Sequence, residues 1–509
     1  MDNNSFFITT PIYYVNDAPH IGHAYTSIAC DVLARFNRLN NRNTMFLTGT
    51  DEHGLKVEQA AKKKNMETKK FVDEMSMSFK KLTKKLNLSN DFFIRTTDIY
   101  HKKASQHIWN ILKKNNQIYL DKYKGWYSVS DEAYFNDDEI TIHEKTKKKI
   151  APTGNEVQWV EEESYFFKLS KWQDKLLEYY KKNPDFIGPE SRKNEVISFV
   201  KNGLNDLSIS RTNFSWGIEV PHDKKHVMYV WLDALINYLS AIGFPDKKYK
   251  KFWPANLHII GKDIIRFHAV YWPAFLLAAD IEPPKRIFAH GWWTNEGKKI
   301  SKSLGNVIDP NAIIKEYGLD TLRFFLLREV PFGNDGDFSK KALERRINND
   351  LANDLGNLVQ RVLTIISKNL DGKLNKIKQI EKNDKKLFEY PEILLKVVEK
   401  NYERQEFHKV IDNIWKLISE ANKYVDESAP WQLIKDNKKR AGDVLNILVI
   451  IIAKIAIFLA PIMPETSENI LNKLGLNINK LSMKNIKENS FINTNFRIEK
   501  PEILFKKII

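Results

Sequence analysis

The stretch ITTPIYYVNDAPHIGHAY, residues 8–25, decides the fold. It continues an apolar run that begins at Phe6, and such a run predicts a buried strand. The polar residues 16–19 predict a turn, and Pro19 suits the first turn of a helix because proline has no N–H to leave unpaired. Apolar side chains then recur at helical spacing at Ile21, Ala24, Ile28, Val32 and Phe36. The stretch therefore predicts a strand, a turn and a helix.

Residues 20–23, His-Ile-Gly-His, stand at the start of this helix. A helix N-terminus presents unpaired N–H groups and a partial positive charge, which suit a phosphate. Gly22 would let a flat ring approach the backbone, and His20 and His23 would add donors on one side of the first turn. Two other interpretations stay open for these residues alone, an ordinary strand–helix junction and half of a metal site.

Length and charge limit the class of protein. The chain has 509 residues, more than one core usually holds, which predicts two or more domains. Its 80 basic and 64 acidic residues give a formal net charge of +16. This excess favours an anionic partner such as nucleic acid, although a lysine-rich surface that only confers solubility has the same composition. The single cysteine, Cys30, is expected to be a buried thiol on the first helix.

The expected location is the cytoplasm. The N-terminal residues lack the basic flank and long apolar core of a signal peptide. Residues 444–463 are the candidate membrane span, but Asn446 and Lys454 interrupt it, and a lysine at the centre of a bilayer is costly. We therefore expect a buried helix of a bundle in a soluble protein that has no membrane partner.

Further apolar runs lead into unusual polar residues. The run 45–48 precedes Gly-Thr-Asp-Glu-His-Gly at 49–54, and the pattern returns after the runs 227–230, 257–260 and 286–289. Strands with such carboxyl ends are typical of an open parallel α/β sheet, which binds its ligands at that edge.

Two segments depart from this pattern. Residues 117–225 alternate short aromatic and charged pieces between Gly and Pro, which predicts an inserted α+β domain. From about residue 340 onward the apolar period is almost wholly helical and predicts a C-terminal bundle, with stripes at residues 397–418 and 444–459. Another stripe is formed by Leu351, Leu355, Leu358 and Val362.

Residues 299–303, Lys-Ile-Ser-Lys-Ser, lie between Gly297 and Gly305 and predict a mobile loop. Lysine supplies a compact positive charge for a phosphate, and serine adds hydrogen-bond donors. In a lysine-rich chain such a pentapeptide can also arise by chance. Its position after the last expected strand of the sheet favours the phosphate interpretation.

His-Ile-Gly-His followed by Lys-Ile-Ser-Lys-Ser resembles the class I aminoacyl-tRNA synthetases. The stretches PIYYVNDAPHIGHAYT, LTGTDEHG, YVWLDALINY, IIGKDIIRFHAVYWPA, KISKSLGN and ESAPWQL narrow the resemblance to the methionyl-tRNA synthetases, in that family's order and over most of the chain. The resemblance implies an α/β fold: a Rossmann-like parallel-sheet catalytic domain, an inserted α+β connective domain and a C-terminal all-α anticodon-binding bundle. The implied divisions are 1–116 (first catalytic half), 117–225 (inserted domain), 226–290 (second catalytic half), 291–345 (KISKS loop and stem-contact region) and 346–509 (anticodon-binding domain).

The resemblance also implies roles for individual residues. Catalytic and ATP-binding roles fall on His20, Gly22, His23, Lys299, Ser301 and Lys302. Asp51 would accept the substrate ammonium, although a strand-end acid can also be a surface residue or a helix N-cap, and His53 and Asp263 would be second contacts. The methionine pocket would consist of Ile12, Tyr14, Asp51, Trp231, Ala234, Leu235, Tyr238, Ile264, His268 and Trp272, with Tyr238 and His268 hydrogen-bonding at the sulfur. Leu235 stands where some family members have proline.

For tRNA, the resemblance implies that Asn357, Arg361, Pro430 and Trp431 bind the anticodon. Asn357 and Arg361 are four residues apart and so share a helix face. Tryptophan can stack on an unpaired base, and Asn and Arg can read base edges. The alternative for Trp431 is a buried anchor between helices.

One departure from the family concerns metal. Many methionyl-tRNA synthetases carry zinc on cysteines of the inserted domain, whereas residues 117–225 contain no cysteine and keep GWYSVSDEAY at 125–134. The chain therefore resembles the zinc-free branch, and we expect no metal site of its own. The appended dimerising module of some relatives is also missing, so we expect a monomer.

The implied function is that of a methionine–tRNA ligase. With ATP and Mg²⁺ it would convert methionine to methionyl-adenylate and pyrophosphate, and would then transfer the methionyl group to the terminal adenosine of tRNA(Met). The alternatives are a class I synthetase for another amino acid and a non-catalytic tRNA-binding paralogue. The inserted segment is too short for the editing domain of the branched aliphatic enzymes, and the cysteinyl enzyme needs thiolate zinc ligands.

Overall fold

The computed structural model describes residues 4–16, 18–135, 137–144, 146–299, 308–492 and 496–508. The chain divides into two compact units. The first consists of Met1–Pro19 and Thr44–His290, and the second consists of His20–Asn43 and Gly291–Ile509.

The strands of the described residues follow in chain order. They are β1 (Ser5–Thr9), β2 (Tyr13–Tyr14), β3 (Asn43–Asp51), β4 (Phe92–Arg95), β5 (Ile118–Ser128), β6 (Ala133–Phe135), β7 (Thr141–Ile142), β8 (Lys149–Ile150), β9 (Gln158–Phe167), β10 (Ile187–Gly188), β11 (Leu207–Ser208), β12 (Ser210–Arg211), β13 (Glu219–Val220), β14 (Asp223–Met228), β15 (Leu257–Gly261), β16 (Ile287–His290), β17 (Trp293–Asn295), β18 (Lys298–Lys299) and β19 (Gly336–Phe338).

The α-helices are α1 (Ile21–Leu39), α2 (Leu55–Lys63), α3 (Thr68–Lys85), α4 (Ile99–Lys114), α5 (Gln173–Lys182), α6 (Glu190–Lys201), α7 (Val230–Leu235), α8 (Asn237–Ser240), α9 (Trp272–Ala278), α10 (Pro310–Tyr317), α11 (Leu319–Arg328), α12 (Lys340–Arg346), α13 (Asn357–Asn369), α14 (Lys382–Glu403), α15 (Phe407–Ser428), α16 (Pro430–Asp436), α17 (Lys438–Leu459) and α18 (Pro464–Lys473). Two π-helical segments, Phe267–Tyr271 and Ile347–Gly356, lead into α9 and α13.

The first unit is built on a 7-stranded sheet with the order β10-β16-β15-β1-β3-β2, and the seventh strand, β4, also pairs with β3. The pairs β1–β15, β15–β16, β2–β3 and β3–β4 are parallel. The strands expected from the runs at residues 6–8, 45–48, 257–260 and 286–289 are therefore confirmed. Because these strands are buried on both faces, they read in the sequence as continuous apolar runs.

The strand expected at residues 227–230 was wrong in its sheet and in its end. Strand β14 ends at Met228 and pairs antiparallel with β12 and β13, in a separate sheet of three strands. Helix α7 begins at Val230. An apolar run of this length does not show which sheet it joins, since short buried runs have no period that distinguishes parallel from antiparallel pairing.

The inserted segment contains the expected mixture of antiparallel strands and helices. Strands β5 and β9 form a long antiparallel ladder that β6 and β11 extend. Strand β10 of the same segment, however, pairs in parallel with β16 of the main sheet, with Ile187 opposite Ile287. The segment thus supplies an edge strand to the main sheet, a relation that two residues cannot reveal in a sequence.

The second unit contains α1 and helices α10–α18. The expected stripe Leu351, Leu355, Leu358 and Val362 is fully buried. The stripe expected over residues 397–418 is interrupted, because α14 ends at Glu403, α15 begins at Phe407, and Val397 is exposed. Cys30 is buried in α1, as expected.

Helix α17 is the one described helix that is long and apolar enough to cross a membrane, and 94% of its most apolar window is buried within the protein. This confirms the buried helix expected at residues 444–463. Lys454 on this helix is buried, and its Nζ donates to Oδ1 of Asn489 at 2.6 Å.

Candidate active site

Asp51 is the last residue of β3, at the carboxyl edge of the parallel sheet, and its Cα is paired with that of Tyr14 on β2. It is only 7% exposed, and Oδ1 has no hydrogen-bond partner among the described residues. Burial, and then the charges of Asp233 and Glu132, raise the pKa of Asp51 well above its usual value. A buried carboxylate oxygen without a partner is costly, so this oxygen is suited to a cationic ligand.

Asp233 on α7, whose charge acts on Asp51, lies between two histidines. Its two carboxylate oxygens lie 2.6 Å from Nδ1 of His53 and 2.7 Å from Nε2 of His101. Nδ1 of His101 in turn lies 2.8 Å from Oγ of Ser240. Burial raises the pKa of Asp233, but His53 and His101 outweigh burial and lower it to about 2. Asp233 is therefore a fixed negative charge at neutral pH.

Tyr14 is held by a carboxylate from the inserted segment. Its hydroxyl donates to Oε1 of Glu132 at 2.6 Å and lies 3.0 Å from the carbonyl of His53. Gly54 has φ +107, and a Cβ there would stand 2.6 Å from the Tyr14 hydroxyl oxygen and 2.8 Å from the Glu132 carboxylate. Only glycine fits at this point.

A group of aromatic side chains is contributed by α7, α8 and the π-helical turn before α9. The Trp231 ring stacks on Phe267 with centroids 3.7 Å apart. The Tyr238 hydroxyl lies 2.8 Å from Nε2 of His268, whose Nδ1 lies 3.0 Å from the carbonyl of Ile264. Burial lowers the pKa of His268 to about 4. Since a carbonyl can only accept, Nδ1 carries the proton of a neutral ring, and Tyr238 donates to Nε2.

Most of the residues expected at the methionine pocket belong to the large apolar core of the first unit. One apolar cluster contains Ile12, Tyr14, Trp231, Leu235, Tyr238, Ile264 and Trp272. His268 joins it through Tyr238, and Ala234 is buried on α7 beside Leu235. His53 is engaged with Asp233, and Asp263 is exposed.

His20 and His23 lie in the second unit and cap α1. Nδ1 of His20 accepts from the backbone N–H of Gly22 at 3.1 Å, and Nδ1 of His23 accepts from the backbone N–H of His20 at 3.0 Å. The two rings form a capping box, in which each neutral ring carries its proton on Nε2. A Cβ at Gly22 would stand 3.0 Å from the His20 ring, so glycine makes room for this cap. Pro19 precedes the N-cap and lies outside the helix, contrary to expectation.

The second motif lies mostly outside the described residues. Lys299 ends β18, which pairs with β17 around the turn at Gly297. The expected contacts of Ser301 and Lys302, and the remainder of the loop, fall in residues 300–307, outside the described part of the chain.

The residues expected to bind the anticodon lie on two helices of the second unit. Asn357 and Arg361 are on α13, and the Arg361 guanidinium lies 5.3 Å from the centroid of the Trp431 ring. Arg361 also forms an ion pair with Asp426 at 2.7 Å. Trp431 is 44% exposed, so it is not a buried anchor, whereas Pro430 is buried as the first residue of α16.

The hairpin turn of the inserted segment is fixed by hydrogen bonds. Asp131 accepts from Oγ1 of Thr153 at 2.7 Å and from Nδ2 of Asn155 at 2.6 Å.

Among the described residues, no group of three or more His, Cys, Asp or Glu side chains could hold a metal ion.

Sequence reasoning missed three residues that support this site: Asp233, His101 and Glu132. Asp233 lies within YVWLDALINY, which carried the resemblance, and Glu132 lies within GWYSVSDEAY, the stretch compared with the zinc-binding relatives. An isolated acid in such a stretch does not reveal its partner, and His101 is 132 residues away from Asp233 along the chain.

Comparison with known proteins identifies the class. The family model described as tRNA synthetases class I (M) matches residues 6–363, and the model described as the anticodon binding domain of methionyl tRNA ligase matches residues 376–509. The chain is 53% identical over 514 residues to the methionine–tRNA ligase of Rickettsia bellii, covering 99% of each chain. It is 49% identical over 482 residues to that of Brucella suis, covering 94% of this chain and 93% of the relative.

A solved structure of Mycobacterium tuberculosis methionyl-tRNA synthetase in complex with methionyl-adenylate superimposes with a TM-score of 0.95 at 46% identity, covering 99% of each chain. The parallel sheet, the capped His-Ile-Gly-His helix and the helical C-terminal region thus define a class I aminoacyl-tRNA synthetase. Within that class, the chain belongs to the methionyl-tRNA synthetase family. Its activity is that of a methionine–tRNA ligase, which uses ATP and binds tRNA.

Proposed function

We propose that methionine is activated at the edge of the first unit's sheet, with its ammonium group on Asp51. The observation that carries this proposal is the buried Oδ1 atom of Asp51, which has no hydrogen-bond partner among the described residues. The fixed charge of Asp233 nearby adds to the negative potential that favours a cation. The bound ammonium would in turn keep Asp51 ionised.

The methionine side chain would occupy the aromatic cluster. Its walls would be Ile12, Tyr14, Trp231, Ala234, Leu235, Tyr238, Ile264, His268 and Trp272. Aromatic rings suit a thioether because sulfur is polarizable and gains from contact with a ring. The hydroxyl proton of Tyr238 is engaged by His268, so we infer that ring contact and shape, and not a donated hydrogen bond, select the sulfur.

Mg-ATP would be held by His20, Gly22 and His23 at the N-terminus of α1 and by Lys299, Ser301 and Lys302. Each neutral histidine carries its proton on Nε2, since its Nδ1 accepts a hydrogen bond in the cap. A methionine carboxylate oxygen attacks the α-phosphorus, a P–O bond forms, and the bond to the bridging oxygen breaks as pyrophosphate leaves. Lysine charge would stabilise the developing charge on pyrophosphate, and no protein nucleophile takes part.

The second step would transfer the methionyl group to a ribose hydroxyl of the terminal adenosine of tRNA(Met), with release of AMP. The anticodon would bind at Asn357, Arg361, Pro430 and Trp431, where the exposed Trp431 ring can stack on a base. The arginine stays close to that ring in the free protein. The domain limits 1–116, 117–225, 226–290, 291–345 and 346–509 remain part of this proposal.

The proposed enzyme is a cytoplasmic monomer that uses Mg²⁺ with ATP and needs no zinc. Light scattering on a sizing column tests the monomer. Activity after exhaustive dialysis against a zinc-selective chelator, with Mg²⁺ restored, tests the metal requirement.

Amino-acid-dependent ATP–pyrophosphate exchange tests the chemistry. Lys302→Ala is expected to slow exchange strongly while leaving methionine binding in the absence of ATP unchanged, because the lysine acts on charge that develops in the transition state. Equal losses of exchange and of methionine binding would contradict this role.

A further inference from the structure

Glu132 is a buried acid that the proposed chemistry does not use. It lies in the turn between β5 and β6, is 5% exposed and has φ +49. Burial raises its pKa, although the hydrogen bonds from Tyr14 and Lys56 oppose that rise. A non-glycine residue with positive φ and a buried carboxyl group is costly twice. Such a residue persists only where the surrounding structure holds it in place.

Hydrogen bonds connect Glu132 to Tyr14 of the proposed methionine site and to residues of two neighbouring segments. Oε1 accepts from the Tyr14 hydroxyl at 2.6 Å and from the backbone N–H of Lys56 at 3.1 Å. The carbonyl oxygen of Glu132 accepts from the Tyr229 hydroxyl at 2.8 Å. Tyr229 directly precedes α7, the helix that carries Asp233.

The far side of the same turn is also fixed. Asp131 binds Thr153 and Asn155, and the carbonyl of Ser130 accepts from Nζ of Lys56 at 2.8 Å. The turn that carries the Glu132 carboxylate is therefore held in place by hydrogen bonds on both sides. The absence of a side chain at Gly54 leaves the carboxylate room to reach Tyr14.

Tyr14 connects Glu132 to the proposed methionine site. Its backbone pairs with Asp51, and its ring packs against the aromatic cluster. A tyrosine ring on a strand of two residues has little support from the strand itself. Besides the packing of the ring, its orientation is fixed by the hydroxyl, whose shorter bond is to Glu132.

We propose that Glu132 is a positioning residue for methionine activation, which fixes the Tyr14 ring as a wall of the amino-acid site and so connects the inserted sheet to that site. The inference rests on the proposed function of Tyr14 and Asp51. It assigns to the inserted segment a part in amino-acid recognition, exerted through one carboxylate.

The test compares Glu132→Ala, Glu132→Gln and the control Glu161→Ala in ATP–pyrophosphate exchange. Glu161 lies in the same ladder, is exposed and pairs with Lys124. Glu132→Ala is expected to raise the KM for methionine about tenfold, the effect of one lost charge-assisted hydrogen bond, with the KM for ATP unchanged. Glu132→Gln keeps an acceptor at Oε1 and is expected to restore most of the affinity. Glu161→Ala is expected to behave as the unaltered enzyme.

Two further variants make the outcome decisive. Tyr14→Phe is expected to raise the KM for methionine alone, and adding Glu132→Ala to it is expected to cause little further change, since both remove the same contact. Tyr14→Phe also replaces Glu132→Ala if the latter does not fold. Two results would overturn the proposal. One is an equal increase in the KM for methionine and the KM for ATP in Glu132→Ala, and the other is a KM for methionine in Glu132→Gln as high as that in Glu132→Ala. If Asp51→Asn leaves the KM for methionine unchanged, the proposed site itself fails; if it raises that KM and Glu132→Ala does not, only the inference about Glu132 fails.

Discussion

The Tyr238 hydroxyl donates to Nε2 of His268 at 2.8 Å, while Nδ1 of that ring faces the carbonyl of Ile264. The resemblance implies that both groups hydrogen-bond at the substrate sulfur, but in the structure their protons face protein acceptors. The pair remains neutral at physiological pH, because burial lowers the pKa of His268 to about 4. In the proposed methionine site, these two groups would therefore present a polarizable wall and no donor.

This arrangement predicts how Tyr238→Phe changes selectivity. Methionine and norleucine differ by sulfur against methylene, so a donor to sulfur would favour methionine alone. Because Tyr238 gives its proton to His268, Tyr238→Phe should change kcat/KM for both amino acids by the same factor, within about twofold. Exchange kinetics with each amino acid measure this. A loss confined to methionine would show that the hydroxyl turns to the sulfur when substrate binds.

The histidine cap of α1 predicts that two roles of His20 can be separated. In His20→Asn, the amide oxygen can take the place of Nδ1 and accept from Gly22, whereas the Nε2–H donor is lost. We expect His20→Asn to keep the thermal stability of the protein but to slow exchange, and His20→Ala to lose both, with a stability cost of about 1 kcal/mol. Differential scanning calorimetry and exchange kinetics measure the pair. Equal destabilisation in His20→Asn and His20→Ala would show that the amide oxygen does not replace Nδ1 in the cap.

Several features of this account were predictable from sequence. Four strands of the parallel sheet could be predicted, because buried parallel strands are apolar throughout; they are those at residues 6–8, 45–48, 257–260 and 286–289. The position of Asp51 at the carboxyl edge of the sheet was also predictable, because polar residues follow the apolar run there, whereas its role is implied only by the resemblance. The sheet that the run at 227–230 joins could not be predicted, since its apolar residues fit a parallel or an antiparallel sheet.

Other features depended on contacts that no local pattern encodes. Glu132 and Tyr14 are 118 residues apart, and His53 and Asp233 are 180 apart. The histidine cap is local, but histidine is uncommon as an N-cap, so the motif indicated phosphate donors and not a capping box.

The second unit contains a buried ion pair between α1 and α11. The Arg323 guanidinium lies 2.7 Å from Oδ2 of Asp31, both side chains are fully buried, and Arg323 also donates to the carbonyls of Pro461 and Ile462. Asp31→Asn should lower the free energy of unfolding by about 3–5 kcal/mol, because it leaves the arginine charge buried without its counterion. Urea denaturation measures the loss.

A matched control is the neighbouring Arg35, which is partly exposed and also pairs with Asp31. Arg35→Ala should cost no more than about 1 kcal/mol, as for exposed ion pairs. The double variant Asp31→Leu with Arg323→Met should be less damaging than Asp31→Asn. If Asp31→Asn were no worse than Arg35→Ala, the buried pair would not carry the stability assigned to it.

Lys454 predicts a pH dependence of stability. Burial in α17 lowers its pKa to about 8, below the usual value of 10.5. Between these pH values the unfolded chain binds more protons than the folded protein, so stability should rise as pH increases from about 8 to 10.5. Below pH 8 both states are protonated, and the cost of the buried charge is present in full.

Lys454→Met should therefore stabilise the protein at pH 7 by about 1–3 kcal/mol and should flatten the rise above pH 8. Unfolding free energies at pH 7, 8.5 and 10 measure both effects. The variant loses the hydrogen bond to Asn489, so Asn489→Ala serves as the control for that contact. Destabilisation by Lys454→Met at pH 7 to the same extent as Asn489→Ala would contradict the cost of the buried charge.

In the proposed site, Asp51 binds the ammonium group of methionine through Oδ1, which has no hydrogen-bond partner among the described residues. The most direct measurement is ATP–pyrophosphate exchange by the unaltered enzyme and by Asp51→Asn, with the exposed Asp121→Asn as control. We expect methionine alone among the twenty amino acids to support exchange, and we expect Asp51→Asn to raise the KM for methionine by about 100-fold. The KM for ATP should stay unchanged, as should the inhibition by 4-methylthiobutyrate, which lacks the ammonium group. An unchanged KM for methionine, or an equal loss of affinity for the analogue, would contradict this role of Asp51.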